Sequence, residues 1–148
     1  MKNYKFKCFV FFILYFLLLN FCRGQEFLYD FKILNIIDGD TVTIEAKFLP
    51  EPLKKELKLR IVNIDTPEKN HLAKCESEVK LAKAATNFLK DEIKNGKELK
   101  IKLEKWDKYG GRVLGDIYID GKLASEQMIL NGFAKEYHGA KKTSWCQK

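Results

Sequence analysis

Residues 28–48 read "LYDFKILNIIDGDTVTIEAKF". Apolar and polar side chains alternate on both sides of Asp38-Gly39 in this stretch. The alternating apolar positions are Leu34, Ile36, Val42 and Ile44. A period of two is typical of β-strands, and Asp-Gly is a common turn. The sequence therefore predicts two strands joined by a bend at Asp38 and Gly39.

Three further runs are also predicted strands. They are "ELKLRIVNI" (56–64), "ELKIKLEKW" (98–106) and "VLGDIYI" (113–119). The third strand of the chain therefore ends just before Asp65-Thr66-Pro67, and the fifth ends at Asp120-Gly121.

Two helices are predicted between and after these strands. From about Ser77 the apolar period becomes helical, and Asn95-Gly96 is a good C-terminal stop. The residues at helical spacing are Leu81, Ala82, Ala85, Phe88, Leu89 and Ile93. A short helix is predicted at "LASEQMILNG" (123–132). Five strands, with one helix after the third and another after the fifth, predict an α+β, mainly β fold. The closest architecture is a five-stranded oligonucleotide-binding-type β-barrel with two helices.

The first two dozen residues differ from the rest in composition. Three lysines come first, then "CFVFFILYFLLL" (8–19) without a charge, then the polar "NFCRGQE" (20–26). This order predicts a secretory signal peptide over residues 1–24, with an uncleaved N-terminal anchor as the alternative. Residues 25–148 then form one domain. Both alternatives predict an exported domain, either secreted or periplasmic, that touches a membrane only through an uncleaved N-terminal segment.

Export bears on the four cysteines of the chain. Cys8 and Cys22 lie in the leader, which leaves Cys75 and Cys146 in the domain. An even pair in an oxidising compartment predicts one disulfide, and two unpaired thiols are the alternative. No cysteine and histidine are spaced like zinc ligands.

The charge of the chain is informative only locally. The formal net charge is +7, and without the four basic residues of the leader 23 basic and 20 acidic residues remain. This mildly basic balance suits a polyanionic partner, but it also suits many solvated surfaces. Basic residues form two clusters, which are Lys54, Lys55, Lys58 and Arg60, and Lys105, Lys108 and Arg112.

Four acidic residues lie at the ends of predicted strands or in the loops that follow them. They are Asp38, Asp40, Asp65 and Glu68. If the strands pair as neighbours, these loops converge on one rim of the barrel, and their oxygen atoms suit Ca²⁺ or Mg²⁺. Turn chemistry is the alternative, because Asp-Gly and Asp-Thr-Pro are ordinary turn formers.

The arginines favour a phosphate site. Residues 25–148 contain only Arg60 and Arg112, among 21 lysines. A guanidinium matches two phosphate oxygens at once and keeps its charge. A site for phosphoryl chemistry needs a metal, cationic clamps and a group that activates water. The acids and arginines together would supply all three, although each arginine alone could form a surface ion pair.

Four pieces of the chain resemble successive motifs of the staphylococcal nuclease (thermonuclease, micrococcal nuclease) family. They are "IIDGDTV" (36–42), "LRIVNIDTPE" (59–68), "DKYGGRVLGDIYIDGKL" (107–123) and "LNGFAK" (130–135). The resemblance implies a monomeric, exported endonuclease that hydrolyses phosphodiester bonds of DNA and/or RNA with Ca²⁺, or less typically Mg²⁺, and has no obligate protein partner. A non-catalytic nucleic-acid-binding barrel is the alternative, and a structural envelope protein is a weaker one.

The resemblance also implies roles for individual residues. Asp40 and Asp65 would be direct carboxylate ligands of the metal, with the Thr66 carbonyl as a third ligand and Asp38 in the outer shell. Glu68 would orient or deprotonate the attacking water. Arg60 and Arg112 would clamp the phosphate, and Lys108 and Tyr109 would contact a terminal phosphate. Replacing either arginine by alanine is expected to lower turnover far more than stability.

Three features depart from the family pattern. The segment "KFLPEPLKKELK" (47–58) is longer than the corresponding segment of the family. It would form either an additional substrate contact or a solvated loop. "YGGR" (109–112) has an extra glycine, which leaves the direction of Arg112 open. The tail "EYHGAKKTSWCQK" (136–148) resembles that of exported bacterial relatives and leaves little chain for a third helix. We expect Cys146 to bind Cys75 and Trp145 to cover the core in place of that helix.

Overall fold

The computed structural model describes residues 26–146, so the predicted leader lies outside the described part of the chain. The strands are β1 (Leu28–Tyr29), β2 (Ile33–Ile36), β3 (Thr41–Glu45), β4 (Glu56–Ile61), β5 (Ile64–Asp65), β6 (Leu99–Trp106), β7 (Arg112–Ile119), β8 (Lys122–Leu123) and β9 (Lys135–Glu136). The helices are a 3₁₀ turn (Asn70–Leu72), α1 (Glu76–Asn95) and α2 (Ala124–Leu130). Among these residues no helix has the length and apolar character needed to cross a membrane.

The strands form one mixed sheet and a small second sheet. The order in the main sheet is β1-β6-β7-β4-β3-β2, and β8 pairs with the far end of β7. Only β4 and β7 run parallel in this described sheet. β5 pairs with β9, which brings the chain after the third long strand beside the C-terminal tail.

The five strands and two helices predicted from the sequence are confirmed, but the third strand is shorter than the predicted 56–64. β4 ends at Ile61 because the chain turns at Val62 and Asn63, where Asn63 takes a positive φ, and Ile64 begins β5 in the second sheet. The hairpin of β2 and β3 bends at the predicted Asp38-Gly39, and Ile36 lies opposite Val42. Full closure of the barrel is not observed, because β1 and β2 at the two ends of the described sheet do not pair with each other. β1 has only two residues, and the core is completed by α1 and α2 instead.

The core lies between the sheet and the two helices. Its fully buried side chains include Ile44, Leu59, Ile101 and Ile117 from the strands and Met128 from α2. Helix α1 adds Ala85 and Leu89 through the face that the helical period predicts.

Two of the predicted apolar positions are exposed instead. The pairing of β2 with β3 shifts register between Ile33 and Asn35, and Leu34 at this irregularity is 45% exposed. A register irregularity interrupts the inward and outward alternation on which the prediction rests. Leu81 on α1 is also exposed, because it lies beside the buried stripe of Ala82, Ala85 and Leu89.

The long β3–β4 connection lies at the end of the hairpin opposite Arg60. Thr41 pairs with Arg60 at one end of these strands, and Glu45 pairs with Glu56 at the other. The connection of residues 46–55 follows Glu45, so it lies at the end opposite Arg60. This placement favours the solvated loop over the substrate contact.

Candidate active site

A cavity of about 760 Å³ opens at the end of the sheet where Arg60 lies. Its walls come from the turn before β3, the end of β4 and the chain that follows it, the β6–β7 connection and the C-terminal tail. The predicted site residues that line it are Asp38, Asp40, Arg60, Thr66, Glu68, Lys108, Tyr109 and Arg112. No residue of the 46–58 segment is among the described residues that line it. The cavity therefore gathers most of the predicted site in one place.

The strand pairing explains why the two arginines share this cavity. β3 pairs antiparallel with β4, which puts Arg60 beside the turn that carries Asp40. β4 pairs parallel with β7, and Arg60 lies opposite Leu114, two residues after Arg112. Residues two apart in a strand point to the same face. Arg112 and Leu114 therefore share a face of β7, and both line the cavity.

Asp40 is buried at the base of the cavity and has several partners. Its Oδ2 accepts a hydrogen bond from the Thr66 hydroxyl at 2.7 Å and lies 2.9 Å from the Arg60 guanidinium. Its Oδ1 accepts from the Thr41 hydroxyl at 3.1 Å. Burial raises the pKa of the Asp40 carboxyl to about 6; Arg60 opposes this shift and the nearby Asp38 charge adds to it.

Asp38 supports the turn that presents Asp40. Its Oδ1 accepts a hydrogen bond from the Asp40 amide at 3.2 Å, an Asx-type contact. Gly39 lies between them, and a Cβ there would be 3.1 Å from the side chains of Thr66 and Ala85. Glycine thus allows the turn to pack closely against the loop that follows β5 and against α1.

Arg60 is anchored more firmly than a surface phosphate clamp would be. Its guanidinium donates to the backbone carbonyl of Ile64 at 2.9 Å and to that of Ile61, in addition to its ion pair with Asp40. The side chains of Arg60 and Asp40 are only 13% and 11% exposed. Removing Arg60 would therefore leave a buried carboxylate without its cation, so this arginine contributes to stability as well as lining the cavity.

Arg112 is held by an acid that sequence reasoning did not select. Its Nε donates to Oδ2 of Asp107, and Oδ1 of Asp107 accepts weakly from the Tyr109 amide at 3.4 Å. The hydrogen bond from Arg112 holds the pKa of the Asp107 carboxyl below its usual range. Gly110 and Gly111 both take positive φ in the connecting turn. The turn therefore accommodates the extra glycine, and Asp107 fixes the direction of Arg112.

Lys108 and Tyr109 form the outer edge of the cavity. Tyr109 is 78% exposed, and the Lys108 ammonium lies 4.9 Å from its ring centroid. Both side chains are free to meet a polyanion from solvent, which fits the phosphate contact that the sequence predicts for them. That contact remains a prediction.

Asp65 faces a different set of partners from Asp40. It is 3% exposed, and it is not among the described residues that line the large cavity. Its Oδ2 accepts from Trp145 Nε1 at 3.2 Å, and its Oδ1 lies 2.7 Å from Lys142 Nζ. The same ammonium lies 2.8 Å from Glu68 Oε1. One lysine of the C-terminal tail therefore joins the two acids of the "IDTPE" motif (64–68).

The loop that carries Glu68 is held by a buried acid on α1. The carboxylate of Glu78 accepts from the Lys74 amide at 2.8 Å and from the Glu68 amide at 3.3 Å. Glu78 lies in the first turn of α1, where a negative charge is favourable. It ties both ends of the 68–74 segment to the helix.

A disulfide fixes the tail to the start of α1. Cys75 and Cys146 are bonded, with their Cα atoms 6.0 Å apart and a sequence separation of 71. Trp145 does not join the hydrophobic core of the described residues, so the expectation that it covers the core is wrong. Its indole is turned instead toward Asp65, because the carboxylate offers a buried acceptor for the indole N–H.

Comparison with known proteins indicates the same family as the four sequence motifs. A family model described as "Staphylococcal nuclease homologue" matches residues 58–147. The chain belongs to the staphylococcal nuclease family. The match covers the parts of the chain that carry Arg60, Glu68, Arg112 and the tail.

Individual relatives cover most of this chain but only part of their own length. The chain is 30% identical over 115 residues to Endonuclease YhcR of Bacillus subtilis (strain 168), covering 74% of this chain and 9% of that protein. It is 36% identical over 87 residues to Staphylococcal-like nuclease CAN1 of Arabidopsis thaliana, covering 59% and 24% respectively. It is 28% identical over 107 residues to an uncharacterized endonuclease of Escherichia coli, covering 72% and 60%. The chain thus spans less than two thirds of each of these relatives.

The predicted metal ligands of this staphylococcal nuclease relative divide into two groups. Asp38, Asp40 and Thr66 line the cavity, whereas the Asp65 carboxylate faces Lys142 and Trp145. Within residues 26–146, the acids of the site do not form a trio whose ligand atoms lie within 4.8 Å of one another. The one trio that does contains Cys75 and Cys146, and their sulfur atoms are bonded to each other.

The surroundings of Asp65 nevertheless fit a cation. Among the described residues Asp65 Oδ1 is a buried oxygen that accepts no hydrogen bond of good geometry, and its close neighbour is the Lys142 ammonium. Two carboxylates, from Asp65 and Glu68, face this single positive charge. Carboxylate oxygens are also the ligands that Ca²⁺ and Mg²⁺ prefer. The chemistry of the donors, which are carboxylate oxygens of Asp40, Asp65 and Glu68, therefore fits a hard divalent ion.

Four residues of the site were not found from the sequence. Asp107 stands five residues before Arg112, and this acid–arginine spacing across a glycine turn could have been read as a pair. Glu78 is an acid in the first helical turn, a recognisable capping signal. Lys142 and Trp145 carry no such signal, because only the disulfide and the β5–β9 pairing bring the tail to Asp65.

Proposed function

We propose that this chain is a metal-dependent nuclease that hydrolyses phosphodiester bonds of DNA and/or RNA. The supporting observation is that Arg60, Arg112 and Glu68 meet at one cavity together with Asp38 and Asp40. A protein that only binds nucleic acid has no need of two arginines and a carboxylate around the same space. Its relatives that are named as endonucleases favour the same conclusion.

The proposed mechanism assigns each side chain a task. A divalent ion, Ca²⁺ in preference to Mg²⁺, would be held by Asp40, Asp65 and the Thr66 carbonyl with Asp38 behind them, and would supply charge neutralisation and an activated water. Glu68 orients the attacking water or accepts its proton as the new P–O bond forms. Arg112 donates to the phosphate oxygens as negative charge grows on them, and Arg60 adds positive charge from the base of the cavity.

Asp107 and the outer cavity residues would position the substrate. Asp107 keeps the Arg112 fork turned in one direction, so less entropy is lost when the phosphate binds. Lys108 and Tyr109 would contact a terminal phosphate of the substrate at the solvent edge of the cavity. The ester bond to the leaving oxygen breaks as the water oxygen attaches to phosphorus on the opposite side.

The assignment is tested by turnover measured beside stability. We expect Arg112→Ala to lower the rate of oligonucleotide cleavage about 10²- to 10³-fold, the scale of one lost transition-state donor. Glu68→Gln should lower it similarly, and Glu126→Gln on the exposed side of α2 is the matched control. Thermal melts of all variants separate lost chemistry from lost folding. A Glu68→Gln variant with normal turnover would remove Glu68 from the mechanism, and nucleic-acid binding without cleavage by the wild-type chain would establish the binding barrel instead.

We further propose that the chain acts as an exported monomer on nucleic acid outside the cytoplasm. The predicted leader over residues 1–24 and the disulfide between Cys75 and Cys146 support this, because disulfides persist in oxidising compartments. Intact mass of the exported protein, with and without reductant, tests both points. A leader-retaining chain would establish the anchored form, and free thiols at both cysteines would contradict export to an oxidising compartment.

A further inference from the structure

The tail lysine Lys142 holds a position that a divalent ion would also hold. Its ammonium lies 2.7 Å from Asp65 Oδ1 and 2.8 Å from Glu68 Oε1. Asp65 is almost wholly buried, and among the described residues its Oδ1 accepts no hydrogen bond of good geometry. A buried carboxylate oxygen is costly unless it faces a positive charge. The positive charge in this structure comes from the chain itself.

The tail is fastened so that this lysine stays near the two acids. The disulfide joins Cys146 to Cys75, and Trp145 donates to the other oxygen of Asp65 at 3.2 Å. Lys135 on β9 donates to the Ser144 carbonyl at 2.8 Å, and its ammonium lies 4.2 Å from the Trp145 ring centroid. Residues 144–146 are therefore held on both sides, only a few residues after Lys142. A tethered group has a far higher local concentration than a free one.

We propose that Lys142 is a built-in competitor of the divalent ion at Asp65 and Glu68, and that the Cys75–Cys146 disulfide sets the strength of this competition. The inference rests on the proposed function, because it needs these two acids to face the metal. When Lys142 leaves, Asp65 and Glu68 face each other without a cation, and that arrangement attracts a divalent ion. The Cys75–Cys146 disulfide then determines how readily the metal-free enzyme binds its ion.

The size of the effect follows from the population of the lysine-bound arrangement. If Lys142 occupies the position in about nine of ten molecules, the apparent dissociation constant for the ion is about tenfold weaker than the intrinsic one. Lys142→Met removes the charge and keeps most of the apolar stem. We therefore expect Lys142→Met to tighten Ca²⁺ binding about tenfold.

The experiment is a calorimetric titration of the full exported chain with Ca²⁺ alone, in the absence of nucleic acid. Lys141→Met, at the exposed neighbouring position, is the matched control and should bind Ca²⁺ like the wild type. Lys142→Arg keeps the positive charge and should keep the weaker affinity. Thermal melts in chelator establish that each variant is folded.

The role of the Cys75–Cys146 disulfide is tested in the same titration. Cys75→Ser with Cys146→Ser should tighten Ca²⁺ binding by less than Lys142→Met does, since Lys142 remains in the chain but is held less closely. Adding Lys142→Met to the cysteine variant should then tighten binding by less than it does in the wild type. Equal tightening in both backgrounds would overturn the part assigned to the disulfide.

The remaining outcomes separate this inference from the proposed function. Equal or weaker Ca²⁺ affinity of Lys142→Met would overturn the competition and leave the metal requirement standing. Ca²⁺ binding by neither protein would overturn the competition and the metal requirement together. Tight binding by Lys142→Met in a chain that cleaves no nucleic acid would support the competition and contradict the nuclease.

Discussion

Replacing Arg60 by alanine tests the double role that the structure gives this residue. The ion pair between Arg60 and Asp40 is 2.9 Å long, and the two side chains are 13% and 11% exposed. Breaking a buried pair by removing one partner costs about 3–5 kcal/mol, because the remaining charge is left uncompensated. The carbonyl groups of Ile61 and Ile64 also lose their donor. We therefore expect Arg60→Ala to lower the free energy of unfolding by about 3 kcal/mol or more at pH 7, as well as abolishing most turnover.

A double-mutant cycle isolates the ion pair from the other contacts. Asp40→Asn removes the carboxylate charge, so Arg60→Ala should cost about 2 kcal/mol less in that background than in the wild type. Urea denaturation in chelator measures all four proteins, and Lys58→Ala, an exposed position two residues earlier on β4, is the control. Effects of Arg60→Ala and Asp40→Asn that add to within about 0.5 kcal/mol would show that the ion pair contributes little to stability. So would an Arg60→Ala variant as stable as the wild type.

Two further outcomes follow from the contacts described above, and a third comes from Asp116, a buried acid on β7 whose Oδ1 accepts hydrogen bonds from the amides of Ile117 and Ser125. Asp107→Asn should lower kcat/KM about tenfold without unfolding the protein, because Arg112 is no longer held in one direction. Unchanged kinetics would show that Asp107 does not position Arg112. Burial raises the pKa of Asp116 to about 6, so its contribution to stability is greatest below the unfolded value near 4 and is lost as pH rises through 6. Asp116→Asn should therefore stabilise the protein at pH 8 by up to about 3 kcal/mol and change its stability little at pH 4. Urea titrations at both pH values measure this difference. Equal effects at the two pH values would contradict the shifted pKa. Replacing Cys75 and Cys146 by serine removes a link across a sequence separation of 71 and should lower the free energy of unfolding by about 4 kcal/mol. Melts that coincide with the wild type would contradict the disulfide.

The sequence predicts that replacing either arginine by alanine lowers turnover far more than stability. The structure changes this expectation for Arg60. Arg112 is 36% exposed on its side chain and is paired with Asp107 at the cavity wall, so it fits that expectation. Arg60 does not, because its guanidinium also satisfies Asp40 and two backbone carbonyls. Arg60 and Arg112 are the same residue type, and each lies in a motif that resembles the family. Only the burial and the partners distinguish them, and neither can be read from a local pattern.

The elements of the fold were predictable where the pattern is local. The alternation around Asp38-Gly39 and the helical period after Ser77 give strands and helices close to those observed. The exposure of Leu34 was not predictable, because it comes from a register irregularity that depends on the partner strand. The open edge of the sheet was also missed, since it depends on how few residues β1 contributes to pairing.

The site was predictable as far as the motifs reach. Asp40, Arg60, Glu68 and Arg112 share the cavity because strand pairing brings the ends of β3, β4 and β7 together. The partners of Asp65 were not predictable in the same way. They come from a tail about 80 residues away in sequence, which reaches Asp65 through a disulfide and a two-residue strand. Contacts of this kind depend on tertiary structure and leave no periodic signal.

The most direct test of the central claim is digestion of single- and double-stranded DNA and RNA by the chain without its leader. Each substrate is incubated with Ca²⁺, with Mg²⁺ or with excess chelator, and the products are separated by length. We predict cleavage of at least one substrate with Ca²⁺, less with Mg²⁺, and none in chelator, with the Glu68→Gln variant about 10²- to 10³-fold slower wherever the wild type cleaves. Cleavage that persists in excess chelator would contradict the metal requirement. Intact substrates under all three conditions, with a folded protein, would contradict the nuclease.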